Sequence, residues 1–356
     1  MDAYPLKLTT HVRSYVFGER LIPDRLGKRG LPAGRVSESW EVSDYRDTSA
    51  TTINGAYAGQ ILHDLVERFP HELVGVGWDG PHFPLLEKFL DASHPLPVHL
   101  HADDETARRV HGEPHGKTEA WHILWAAEGA TILAGVKEGL SRDDLFQAFR
   151  EQRYDDVMPR MPVRQGDTVY VPGGVIHSFG PNTLIFEVQQ TSDLGQFVTP
   201  DDLYGNRLPD LVWEKNIDAA LDELRIDYHP RPNPGLTLED GVNRRVIGCA
   251  GPHFALERWS LQGDLRRPQG LDRVVTLSNV GPPVDVEYGQ GRLERLDRGE
   301  SCVLPAALGD WKIAPQEPAS LVACYVPNLE ANVVEPLRAA GYSRGEIEAL
   351  GEVFAE

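Results

Sequence analysis

Glycine and proline interrupt this chain so regularly that few stretches between them can form anything longer than a short strand. The 34 glycines and 27 prolines fall among brief β-branched and aromatic runs, which is the pattern of a sandwich or barrel and not of alternating strands and helices. Runs of this kind cover residues 39–43, 97–101, 120–124, 131–136, 168–171 and 184–189. Helical spacing is confined to a few segments. Residues 60–69 place Ile61, Leu62, Leu65, Val66 and Phe69 on one face, and Ser141 reads as an N-cap ahead of Leu145, Phe146 and Phe149. Both are expected to cover a sheet and not to carry chemistry.

At 356 residues the chain is long enough for two cores. The β-rich text runs through residues 1–200, with a helical insertion at about 141–153. A mixed segment at 201–236 follows, helical around 216–224 and broken by His229-Pro230-Arg231-Pro232-Asn233-Pro234-Gly235. A second β-rich block occupies 237–330 and a helical tail 331–356. The formal charge of −19 excludes nucleic acid and anionic lipid as expected partners. Cys249, Cys302 and Cys324 lie in apolar runs and read as buried thiols, not a disulfide framework. No run approaches the ~20 apolar residues of a membrane helix, and the N-terminus lacks a signal-type apolar stretch, so a cytoplasmic location is expected. Oligomeric state is not legible.

Chemistry concentrates in the first block. His99 and His101 are two apart in Leu96-Pro97-Val98-His99-Leu100-His101, so an extended strand turns both imidazoles to one face. A third histidine, His177, ends the run Gly166-Asp167-Thr168-Val169-Tyr170-Val171-Pro172-Gly173-Gly174-Val175-Ile176-His177, and between them Lys117-Thr118-Glu119-Ala120-Trp121 offers a carboxylate. Three imidazoles and one carboxylate suit zinc, manganese or iron. The second block contains only His253 and cannot repeat the set.

The spacing from Gly166 to His177 resembles the second cupin motif, and His99-Leu100-His101 resembles the start of the first. Cupins are double-sheet jelly rolls that enclose one metal. A more specific likeness runs through seven ordered blocks: residues 38–43, 83–92, 101–105, 116–121, 172–177, 187–193 and 304–309 are similar to successive segments of class I mannose-6-phosphate isomerases. That resemblance implies a mainly β fold of two cupin domains with short helical insertions, the C-terminal one degenerate. It implies one divalent metal, zinc first with manganese or iron as alternatives, held by His99, His101, Glu119 and His177. It also implies aldose–ketose isomerisation through an enediol, with Glu187, Lys117 and Glu38 as catalytic groups and Lys88, Phe197 and Trp40 as contacts to a sugar or sugar phosphate.

This chain departs from the family at three positions. His99 stands where a glutamine is usual, so the donor set is richer in nitrogen. Phe197 stands where an arginine usually meets the substrate phosphate, and Pro97 replaces a small hydroxyl residue. An aromatic ring cannot make a guanidinium's charge-assisted contacts, so the substrate is expected to shift toward a sugar other than mannose 6-phosphate unless Arg207 or an N-terminal arginine substitutes. Two other readings follow from the same residues: an iron or manganese redox cupin, which explains the ligands but gives no role to Glu38, Lys88, Lys117 or Glu187, and a sugar-binding relative that has lost its chemistry.

Overall fold

The computed structural model describes residues 1–354, and its strands form four antiparallel sheets, two in each half of the chain. In the N-terminal half the strands are β1 (His11–Arg13), β2 (Glu38–Val42), β3 (Leu85–Ala92), β4 (His99–Leu100), β5 (Glu119–Ala126), β6 (Thr131–Ala134), β7 (Arg160–Pro162), β8 (Thr168–Val171), β9 (His177–Phe179), β10 (Thr183–Gln190) and β11 (Gln196–Phe197). The larger sheet has the order β1-β2-β3-β10-β5-β8 and the smaller β11-β4-β9-β6-β7. The C-terminal half repeats the plan: Ala255–Leu261 pairs with the late strand Ala319–Tyr325, as β3 pairs with β10. The fold is mainly β, as its glycine and proline punctuation implies.

Alternation along β3 and β10 divides the work between the two faces of the larger sheet. Leu85, Phe89, Leu184, Phe186 and Val188 pack with the apolar residues of the C-terminal half. Leu90 and Ile185 turn the other way, joining Trp121, Ile123, Ile132 and Phe179 inside the N-terminal barrel. The inward positions nearer the open end are polar. Cross-strand register aligns Trp40 with Lys88, Lys88 with Glu187, and Glu187 with Trp121. One polar row therefore lies directly above an apolar floor.

The helices back the smaller sheet. Ser141 caps Arg142–Arg150 through a reciprocal capping box with Asp144. Leu145 and Phe149 of that helix meet Trp213, Ile217 and Ala220 of the helix Asp210–Asp222, together with Val98, Leu100 and Ile176 from the sheet side. The second helix starts earlier than its apolar spacing suggests because Pro209 marks its N-terminal boundary. The helix expected over residues 60–69 spans Leu62–Arg68, since Ile61 is extended. All three cysteines are buried and free. No helix among the described residues is long and apolar enough to cross a membrane.

Candidate metal centre and active site

His99 and His177 are direct partners across β4 and β9, and His101 follows on the same face as His99. Each ring is fixed by its Nδ1, which donates to a backbone carbonyl: His99 to Pro97 at 2.7 Å, His177 to Val175 at 2.8 Å, and His101 to Leu194. A carbonyl only accepts, so the Nδ1 proton is committed and each Nε2 presents a lone pair, that of His101 accepting from Lys117 Nζ at 2.8 Å. These lone pairs converge. The Nε2 atoms of His99 and His177 are 3.0 Å apart, and Glu119 brings Oε1 to 3.1 Å from His177 and Oε2 to 3.3 Å from His101. A tetrahedral ion with bonds of about 2.0–2.2 Å needs donors roughly 3.3–3.6 Å apart. Facing imidazole lone pairs are repulsive without a cation between them, so the three histidines, whose donor atoms lie within 4.8 Å of one another, fit a divalent ion, with Glu119 beside His177 and His101.

The protonation states suit ligation. Burial, and then the neighbouring histidines, hold His99 well below the ordinary imidazole range; burial and the Lys117 ammonium push His101 down to about 3. Burial works to raise Glu119, but Lys117, His101 and His177 outweigh it and keep the carboxylate ionised. Trp121 Nε1 donates to Glu119 Oε1 at 2.7 Å, which fixes the carboxylate as the carbonyls fix the rings. The indole reaches because residues two apart on a strand share a face.

Beside the cluster lies a chain of alternating charge. Lys117 Nζ is 2.7 Å from Glu119 Oε2 and 2.8 Å from His101 Nε2, and stands 3.8 Å from Glu187 Oε1. Lys88 Nζ is 3.0 Å from the same Glu187 oxygen and 3.8 Å from Glu38 Oε1. That Glu187 oxygen lies off the hydrogen-bond direction of Lys88 and beyond hydrogen-bond reach of Lys117, so it is buried and unsatisfied. Burial and the Glu119 charge raise Glu187 above the usual carboxylate range, against the pull of Lys88 and Lys117. Lys88 stays protonated because Glu187 and Glu38 outweigh its burial. A buried carboxyl held above its ordinary range between two cations is an arrangement that can accept and return a proton.

The other expected residues differ in burial, Phe197 being half-buried. Trp40 is 1% exposed; its N–H goes to Glu38 Oε2 at 2.7 Å and its ring lies under Lys88 at 5.3 Å. Phe197 stacks on His99, ring centroids 5.4 Å apart, so it meets a histidine of the cluster directly. Arg207 is turned away, 3.8 Å from Asp201 and over the Trp213 ring. The N-terminal alternative is present: Arg13 lies over Trp40 at 5.3 Å, its Nε buried without a partner, and it has no carboxylate within ion-pair distance among the described residues. Sequence reasoning gave Asp193 no role. Asp193 is open to solvent yet closely surrounded by protein, the condition of a cleft wall, and that surrounding raises its carboxyl against Lys88 and Lys117. Arg13 reaches this site through the pairing of β1 with β2, and Asp193 through the loop that follows β10. A cavity of about 950 Å³ lined by prolines including Pro159, Pro162 and Pro232 contains none of these residues.

No family model matches the chain. It is 29% identical to a mannose-6-phosphate isomerase of Streptococcus mutans over 320 residues, 87% of this chain and 95% of the relative. It is 28% identical to a Bacillus subtilis mannose-6-phosphate isomerase over 80% of this chain and 88% of that one. Among solved structures, the Bacillus subtilis mannose 6-phosphate isomerase superposes with a TM-score of 0.80 at 25% identity, covering 90% of this chain and 99% of the other. A phosphomannose isomerase of Salmonella typhimurium, at 14% identity and a TM-score of 0.71, shares the fold. The likeness read from ordered motifs thus extends along nearly the full length of these proteins.

Proposed function

We propose that this chain is a metal-dependent aldose–ketose isomerase acting on a sugar phosphate, with mannose 6-phosphate as its first candidate substrate. One observation carries the reading: the convergence of three imidazole Nε2 atoms and Glu119 lies immediately beside the Lys117–Glu187–Lys88–Glu38 chain. A redox cupin has use for the first group and none for the second. The length over which relatives named as mannose-6-phosphate isomerases align supports the same conclusion.

His99, His101, Glu119 and His177 would hold one divalent ion, zinc by the chemistry of the donors, in a cytoplasmic enzyme. Such an ion supplies Lewis-acid stabilisation of the negative charge that an enediol bears on its oxygens. Glu187 takes the proton from C2 of the aldose and returns it to C1, while the hydroxyl proton leaves O2 and an equal proton reaches O1 by way of Lys117, so the ketose forms without net gain or loss of atoms. Its raised proton affinity suits both halves of that transfer. Lys117, between Glu119 and Glu187, donates toward the sugar oxygens. Lys88 holds Glu187 and Glu38 in place, and Trp40 fixes Glu38. The cation that meets the phosphate is Arg13, in place of the arginine that Phe197 lacks. The test is kcat/KM of the metal-loaded protein for mannose 6-phosphate against mannose. A preference of at least 10-fold for the phosphate is expected, and activity on free sugars alone would refute the substrate assignment.

A further inference from the structure

A second group of metal-ligating side chains lies apart from the histidine cluster just described. Asp44 follows β2, His63 sits in the helix Leu62–Arg68, and His82 precedes β3. Asp44 is buried, and its carboxylate is aimed by two donors: Ser49 Oγ to Oδ1 at 2.9 Å and the Phe83 amide to Oδ2 at 2.8 Å. One lone pair on each oxygen is left. His63 Nδ1 stands 3.1 and 3.2 Å from the two oxygens, and His82 Nδ1 is 3.8 Å from Oδ2. One donor atom from each of the three lies within 4.8 Å of the others.

A hydrogen bond from His63 to Asp44 accounts for His63 but not for His82. The Nδ1 of His82 is sealed from solvent and has no hydrogen-bond partner, a condition that buried polar atoms rarely keep. We propose that Asp44, His63 and His82 bind a divalent transition-metal ion. The ligand set is two imidazoles and a carboxylate, and separations of 3.1 to 3.8 Å bracket the roughly 3.3–3.6 Å expected around a tetrahedral ion. The fourth position opens on a cavity of about 380 Å³ that His63 and His82 line together with Glu67 and Asp79. The ion joins three separate segments. Two of them adjoin the strands that carry Glu38 and Trp40 on one side and Lys88 on the other, so an ion here ties the ends of β2 and β3 to the helix Leu62–Arg68.

Zinc is the probe. After chelation, zinc loading and desalting, elemental analysis and native mass spectrometry are expected to find two ions per wild-type chain, one in His82→Ala, one in His63→Ala and one in His177→Ala. In His177→Ala, added zinc raises the thermal midpoint; in His82→Ala/His177→Ala it does not. One zinc per wild-type chain, or two zincs retained in both His82→Ala and His63→Ala, would overturn the proposal. So would a second zinc that desalting strips from the wild type. His82 is partly exposed, so a folded His82→Gln decides the matter should His63→Ala fail to fold.

Discussion

Glu87 sits next to Lys88 on β3, but its side chain points through the sheet into the seam between the two halves. There Oε1 accepts from Thr276 Oγ1, Oε2 has no partner, and the residue is wholly buried. Burial raises its carboxyl from 4.5 to about 7, only partly opposed by the Thr276 contact. Between those values the folded chain keeps a proton that the unfolded chain releases, so stability falls as pH rises from about 4.5 to 7. At 1.36 kcal/mol per pK unit, the full cost above pH 7 is about 3 kcal/mol. Glu87→Gln removes the titration while leaving a carbonyl for Thr276, and forfeits at most the ~1–3 kcal/mol of an unsatisfied amide. Urea unfolding of both proteins from pH 5 to 8.5 measures the difference directly, since every other titrating group is common to the two. The variant's stability relative to wild type should climb by about 3 kcal/mol across that range. Parallel pH profiles would show that Glu87 is not neutral in the fold and that the seam accommodates its charge.

At the metal centre, His101→Ala and His177→Ala should each lose the barrel ion by elemental analysis, while Glu187→Gln keeps it and loses about 10²–10⁴ in kcat. Full activity in Glu187→Gln would remove it as the base. Trp121→Phe deletes the N–H that fixes Glu119 and should weaken metal affinity about 10–100-fold, read by competition with a chelator; unchanged affinity would mean that Lys117 alone orients the carboxylate. Arg13→Gln should cost about 10–100-fold in kcat/KM on mannose 6-phosphate with little effect on free mannose, and Phe197→Arg should restore part of it. Equal losses on both sugars would assign Arg13 to Trp40 packing instead of phosphate.

The sequence made the strands and the histidine cluster legible because both follow local rules. A two-residue period sets His99 beside His101 and Lys117 beside Glu119, and proline and glycine end each run before a helix can form. What it could not show was which distant residues share a row. Lys88 meets Glu187 because β3 and β10 pair in one register, and a shift of one residue would send Glu187 into the seam and Glu87's neighbour out of the barrel. Which N-terminal arginine reaches the site, and that Asp193 lies beside it, was hidden for the same reason, since neither Arg13 nor Asp193 has a local signal. Asp44, His63 and His82 are spread over three loops and helices, and no spacing rule links them.

The device that fixes Glu119 recurs, and what each copy meets bears on why, among the described residues, the candidate metal groups lie in the N-terminal half. Trp40 donates to Glu38, Trp121 to Glu119 and Trp259 to Glu257, each at 2.7 Å and each from two residues further along a strand. Each indole sets the direction of a buried carboxylate. What that carboxylate then meets differs. Glu119 meets three imidazoles, whereas Glu257 takes both prongs of the Arg245 guanidinium at 2.8 Å and the Tyr325 hydroxyl at 2.7 Å. Arg245 and these hydrogen bonds outweigh burial and keep Glu257 ionised, so the second carboxylate already has its cation within the chain. A fixed, fork-shaped cation satisfies it without any opening for substrate, and the C-terminal barrel is free to serve as the wall against which Glu87 and the outward face of β3 are packed.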